Sequence, residues 1–264
     1  MRAVRGFLLR WTAFAAVLVV WQLVATAAAH PFFPSPSEIL AAADRMWFSG
    51  PASDAFLTAA ARDNLASTIF RVLGGWAIAV VLGVILGVAC GLSRTVLTAA
   101  GPLFAFFRSL PLPALVPVFV LICTLGTPMV LTVIVCGAVW AVLLNTVDGV
   151  RTVDRVQIET ALAYRLPFSH RLVGIVLPAA LPKIFAGLRV SLSQALLLAV
   201  VAELFAANGG LGDQLRDARN RFEFAEMWAV VVMLGVLGYL FNMILLAVEK
   251  RALAWHRAAG LAYR

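Results

Sequence analysis

The side chains able to bind a metal or attack a substrate are few and scattered. His30, His170 and His256 stand in three separate polar stretches, and Cys90, Cys123 and Cys136 fall inside apolar runs without paired spacing. A metal or nucleophile constellation needs its groups at short, fixed intervals, so neither set makes a metal site or a catalytic site. HExxH and GxSxG patterns are missing, and the chain is not read as an enzyme. Its lysines are Lys183 and Lys250, and neither follows a glycine-rich phosphate loop. The chain therefore has no cofactor of its own, and ATP with its magnesium belongs to a partner chain if transport is driven.

Polar groups do occur within apolar runs. Ser191 and Gln194, three residues apart, share one helix face, and Thr124 and Asn145 lie in neighbouring apolar stretches. These four are candidates to line a solute passage; the alternative, hydrogen bonds that satisfy neighbouring helices, stays open. Ion-coupled carriers bury ionisable groups in their spans because such groups bind the coupling ion. Here Arg108, Arg189 and Glu203 fall toward the ends of apolar runs and Asp148 closes another. An ion-coupled cycle lacks its usual equipment. Arg108 and Arg189 either attract an anion or mark the cytoplasmic side.

The elements that position these residues follow from composition. The chain is 62% hydrophobic and 13% charged, with a mean hydropathy of +0.96, where soluble domains are about half apolar and about a quarter charged. This is an all-α integral membrane protein. Residues 11–29, 72–92 and 227–248 carry no charge and are each long enough to span. Residues 109–147 are also uncharged, and as one helix would reach roughly 58 Å, too long for a single crossing. A turn at Gly126-Thr127-Pro128 divides them into spans 109–125, broken by Pro111, Pro113 and Pro117, and 129–147. With 184–206, six transmembrane helices are predicted in one domain covering 1–264.

With the N-terminus cytoplasmic, the inner segments collect Arg2, Arg5, Arg10, Arg94, Arg108, Arg151, Arg155, Arg165, Arg171, Lys183, Arg189, Lys250, Arg251, Arg257 and Arg264, against Arg45, Arg62, Arg216, Arg219 and Arg221 outside, with Arg71 at a span edge. The positive-inside rule then places both termini in the cytoplasm. It also accounts for a net charge of +8 without nucleic acid. Arg2, Arg5 and Arg10 ahead of a run ending in Ala27–Ala29 also fit a cleavable signal, but the run exceeds the usual core of about 7 to 15 residues.

Outside the bilayer, Ser35-Pro36-Ser37-Glu38 predicts a capping box and a short helix to about Trp47. Residues 207–225 read as a loop, with turn-forming Asn208-Gly209-Gly210 followed by mixed charge. Both segments face the extracytoplasmic side. Gly83, Gly87 and Gly91 recur at four-residue spacing and predict close approach of another helix. Trp11, Trp47, Trp228 and Trp255 are expected at membrane interfaces.

Residues 148–183 form a cytoplasmic loop too polar to enter a bilayer. From Asp154 a helix places Val156, Ile158, Ala161, Leu162 and Leu166 near one face and breaks at Leu166-Pro167. A second helix is expected to restart with Ser169 as N-cap and to stop at Pro178 and Pro182.

This segment resembles the cytoplasmic loop of ABC importer permeases, with an EAA start at Glu159, Thr160 and Ala161, a glycine position at Arg165, and an I-x-LP close at Ile175, Leu177 and Pro178. Thr160 replaces the first alanine, and Arg165 the glycine. Further landmarks resemble the nitrate, taurine and aliphatic sulfonate branch: PSP at Pro34–Pro36, FRSLPLPALVP at Phe107–Pro117, LLNTVDGVRTVD at Leu143–Asp154, AGLRVSLSQAL at Ala186–Leu196, VVAE at Val200–Glu203 and GLG at Gly210–Gly212. The resemblance implies a type I importer permease fold whose coupling helix docks on an ATPase. It also implies a homodimer with two ATPase subunits and an extracytoplasmic solute-binding protein, in a bacterial inner membrane. Glu159, Thr160, Ala161, Arg165, Ser169, Ile175, Leu177 and Pro178 are then the coupling residues, and Glu203 is an outer-gate residue pairing with the Arg216–Arg221 cluster. An ATP-independent channel or a membrane scaffold is the alternative.

Overall fold

The computed structural model describes residues 2–51, 56–206 and 209–255, and the regular structure among them is helical. In order the helices are α1 (Arg2–Ala28), α2 (Pro36–Ala43), α3 (Ala59–Leu92), α4 (Arg94–Ser109), α5 (Leu112–Cys123), α6 (Thr127–Arg151), α7 (Arg155–Ala163), α8 (Phe168–Arg171), α9 (Leu177–Ala206), α10 (Leu211–Asn220) and α11 (Phe224–Ala252). Among the described residues five helical stretches are long and apolar enough to cross a membrane, and a sixth crossing arises if the bent pair α4 and α5 counts as one. The chain divides into two compact units, Met1–Ser67 with Gly209–Val236, and Thr68–Asn208 with Leu237–Arg264.

In the first unit the expected capping box is formed. Ser35 Oγ accepts from the Glu38 amide at 3.4 Å, and Glu38 Oε2 accepts from the Ser35 amide at 2.7 Å. Such a cap is worth about 1 kcal/mol. The Gln22 side chain donates to Ser37 Oγ at 2.9 Å and accepts from its amide at 3.1 Å, which fixes α2 to the end of α1. Trp21, Phe33 and Trp228 pack their rings together, and Trp228 Nε1 donates to the Phe32 carbonyl. Trp47 is not interfacial. It is 2% exposed and its Nε1 donates to Gln214 Oε1, so it packs this unit instead. Residues 211–220, read as loop, form α10: the charge-rich sequence hides an amphipathic helix that buries Leu211 and Ala218. Gly209 and Gly210 have positive φ, as a turn there requires, whereas Asn208 lies outside the described residues.

The second unit is built on α6 and α9. Gly137 of α6 lies under Leu198, and Gly187 of α9 under Asn145 and the Ala141 carbonyl, so the backbones approach closely. Glycines of α3 pack likewise on α6. Several expected boundaries move. α3 runs 34 residues instead of starting at 72, because Ala-rich 59–71 continues the helix. The third crossing is no straight span over 109–125. α4 and α5 meet at 92°, and the 12 residues of α5 reach only about 18 Å. The break falls at Leu110, held extended by Pro111, whereas Pro113 sits in the first turn of α5, where no amide partner is lost. α6 extends one turn past 147, to Arg151.

Candidate functional site

The polar segment after α6 folds as an elbow. Asp154 Oδ1 accepts from the Val156 amide at 2.9 Å and caps α7. At the other end the Arg165 amide donates to the Leu162 carbonyl at 2.9 Å and the Leu166 amide to the Ala161 carbonyl at 3.0 Å. That is a Schellman closure, and it puts Arg165 in the left-handed region at φ 53. The turn keeps the geometry a glycine would take. A side chain there costs about 1 kcal/mol relative to glycine. Arg165→Gly is therefore expected to raise elbow stability by about 1 kcal/mol, read as slower hydrogen exchange of the Leu166 amide. Faster exchange would show that Arg165 makes an unseen stabilising contact.

Two expectations about the second half of the elbow are corrected. α8 begins at Phe168 with Pro167 as N-cap, so Ser169 lies inside the first turn and caps nothing. Pro167 supplies the extended cap conformation itself, at ψ 154. Nor do Pro178 and Pro182 stop the helix. A π-helical turn over Leu172–Val176 leads into α9, which carries Pro178 in its first turn and Pro182 inside it. The wide turn accommodates the amide that Pro178 lacks.

The apolar residues of α7 do not share one face. Ile158 is half-buried against the core and Ala161 is 2% exposed, whereas Val156 and Leu162 are 66% and 51% exposed. Ala161 is thus small because it packs within its own chain. Glu159 accepts from Arg155 Nε at 2.8 Å across one exposed helical turn, worth a few tenths of a kcal/mol. Thr160, Ala161, Ile175 and Pro178 line a groove of about 710 Å³ together with Tyr164 and Trp255, and Leu177 is half-buried beside it. Tyr164, Phe168 and Val173 project from the elbow, 78%, 57% and 64% exposed.

The four passage candidates separate. Asn145 and Gln194 line one cavity of about 600 Å³ with Arg108 and Trp140. Ser191 is buried elsewhere, accepting from Trp76 Nε1 at 2.9 Å and donating to the Leu188 carbonyl. Thr124 sits in the turn after α5 with φ 60, bonded to the Cys123 carbonyl. Trp140 is the residue that sequence reasoning passed over; an aromatic of interfacial type in mid-span was its signal.

Glu203 is 1% exposed and is held within its own unit. Arg71 Nη1 donates to its Oε1 at 3.0 Å, and Thr68 Oγ1 lies 2.9 Å from Oε2, while Arg71 Nε donates to Thr127 at 3.2 Å. Within its unit Glu203 thus forms a buried ion pair with Arg71, and Arg216 bonds Asp213 and Asp217 of its own helix. Arg71 went unassigned because it borders a span. A lone cation beside one apolar run and a lone carboxylate beside another are mutual signals. Arg189 pairs with Glu249. His256 lies outside the described residues.

A family model described as binding-protein-dependent transport system inner membrane component matches residues 79–253. The taurine transport system permease protein TauC of Escherichia coli is 29% identical over 244 residues, covering 92% of this chain and 87% of the relative. The nitrate import permease protein NrtB of Synechocystis is 27% identical over 242 residues, covering 90% and 86%. Among solved structures, an inward-facing conformation of the MetNI methionine ABC transporter superposes with a TM-score of 0.61 at 18% identity, covering 74% of this chain and 99% of that one. At that identity the likeness is one of fold.

Proposed function

The chain belongs to the family of binding-protein-dependent transport system inner membrane components, and from that membership we propose that it forms the solute passage of an ATP-driven importer worked through the α7–α8 elbow. It is a transport subunit and not an enzyme. The solute is a small oxyanion-bearing compound, such as a sulfonate, taurine or nitrate. Two copies of this chain, two ATPase subunits holding ATP and magnesium, and an extracytoplasmic binding protein make up the working complex. Both termini of the chain are cytoplasmic.

One observation carries the reading. Tyr164, Phe168 and Val173 are exposed on a segment that also presents Arg155, Glu159, Arg165 and His170. Aromatic side chains exposed among charges suit a protein partner and not lipid acyl chains. ATP-driven closure of the ATPases moves the surfaces on which the elbows rest. Since α8 passes through a π-helical turn into α9, displacement of the elbow is carried directly to a helix that lines the passage. Arg165 keeps its unfavourable conformation because its guanidinium reaches the ATPase, so Arg165→Gly stabilises the elbow yet weakens coupling. Glu159 and Thr160 flank the same contact.

Aspartate in place of both Tyr164 and Phe168 tests the reading. With the permease reconstituted, association with the ATPase is expected to weaken about a hundredfold, and ATP-driven uptake to fall with it. Unaltered ATPase binding, or uptake that needs no ATP, would overturn the proposal.

A further inference from the structure

Two cavities of about 600 and 460 Å³ in the second unit share Arg108, Leu144 and Asn145. The larger is walled mainly by apolar residues, including Trp140, Val190 and Leu197, and Arg108 is the charged residue on its wall. The smaller continues past Asp148 and Arg151 at the end of α6. Arg108 and Asn145 therefore stand on the wall common to both cavities.

The polar groups there are short of partners. The side chains of Arg108 and Gln194 bond to no other described residue, and Asn145 uses its amide nitrogen on the Ala141 carbonyl at 2.8 Å. Asp148, the carboxylate on the wall of the smaller cavity, is already held by Lys183 at 2.8 Å. An unpaired guanidinium beside an apolar wall needs water or an anion, since exposure of its charge to hydrocarbon is costly. Its planar fork of donors matches two oxygens of a sulfonate, nitrate or similar group. Trp140, stacked on Phe107 at 6.0 Å and braced by Phe104 at 5.8 Å, provides a fixed flat wall for an organic tail.

We infer that Arg108, with Gln194 and Asn145, forms a resting site for the oxyanion headgroup of the solute inside the passage. This rests on the importer reading above and adds a chemical filter within the membrane: the site takes small oxyanions and turns cations away.

The test is direct binding of radiolabelled methanesulfonate, competed by nitrate and taurine, to the permease–ATPase complex in nanodiscs without its receptor protein. Arg108→Gln is expected to weaken binding tenfold or more, about the share of a bidentate charged contact. Arg108→Lys should lose about threefold because the charge remains, and Gln194→Leu about threefold for one neutral hydrogen bond. Ser193→Ala, off the cavity, should change nothing. Each variant is checked for co-purification with the ATPase, so a binding loss is read on assembled complex. Equal binding by wild type and Arg108→Gln overturns the site. So does a complex that imports one of these solutes with ATP yet binds none of them without its receptor, although the coupling reading then stands. A wild-type complex with no ATP-driven uptake overturns both.

Discussion

Replacing Arg71 by methionine is expected to destabilise the second unit by about 4 kcal/mol, because it takes the paired cation away from a buried carboxylate. Glu203 is 0% exposed in its side chain and Arg71 is 6% exposed, 3.0 Å apart. Water cannot take over the lost charge contact, and the Thr68 hydroxyl that bonds the carboxylate brings no charge to neutralise it. The decisive comparison is the double replacement Arg71→Met with Glu203→Leu. Removing both charges returns most of the loss, since apolar pairs of similar volume substitute well for buried ion pairs. Thr68 can then turn its hydroxyl to its own helix backbone. Thermal unfolding in detergent, followed by size exclusion, reads both effects. A single variant as stable as wild type would mean that Glu203 is not buried in the assembled protein. A double variant as weak as the single would mean that the pair carries more than charge balance.

The same pair shows where sequence reading stops. Composition and the lengths of the apolar runs were enough for an all-helical membrane chain, because a bilayer admits few other solutions. The break between α7 and α8 was legible too, from Leu166-Pro167, whereas the left-handed turn at Arg165 came only from the structure. What was not legible depends on contacts distant in sequence. Nothing local tells Glu203 that its cation is residue 71, or sends Ser191 to Trp76 while Gln194 faces a cavity. Helix ends at prolines were misjudged for a local reason. Proline punctuates a helix only where it removes a needed amide, and Pro113 and Pro178 both lie in first turns.

Gly87→Leu is expected to cost at least about 3 kcal/mol and to abolish most folded protein. On α3, Gly75, Gly83, Gly87 and Gly91 face Ile134, Val142, Thr146 and Val150 of α6. The intervals are the same on both helices, so the two run parallel in matched register. A methyl group at residue 87 would lie 2.6 Å from Thr146 Cβ and 2.8 Å from the Leu143 carbonyl oxygen. Neither atom is the free end of a flexible side chain, and neither moves without its helix. Apolar helices in lipid gain little from burial, so close packing across this stripe supplies much of their association. Gly101 in α4 is the control: nothing lies within 4 Å of its added methyl. Gly101→Ala should leave stability unchanged or raise it by up to about 1 kcal/mol, through helix propensity alone. The yield of monodisperse protein and its unfolding midpoint separate the two glycines. Were both variants equally tolerated, α3 and α6 would not meet along this stripe, and the α6 wall of the Arg108 cavity would lose the helix that braces it from behind.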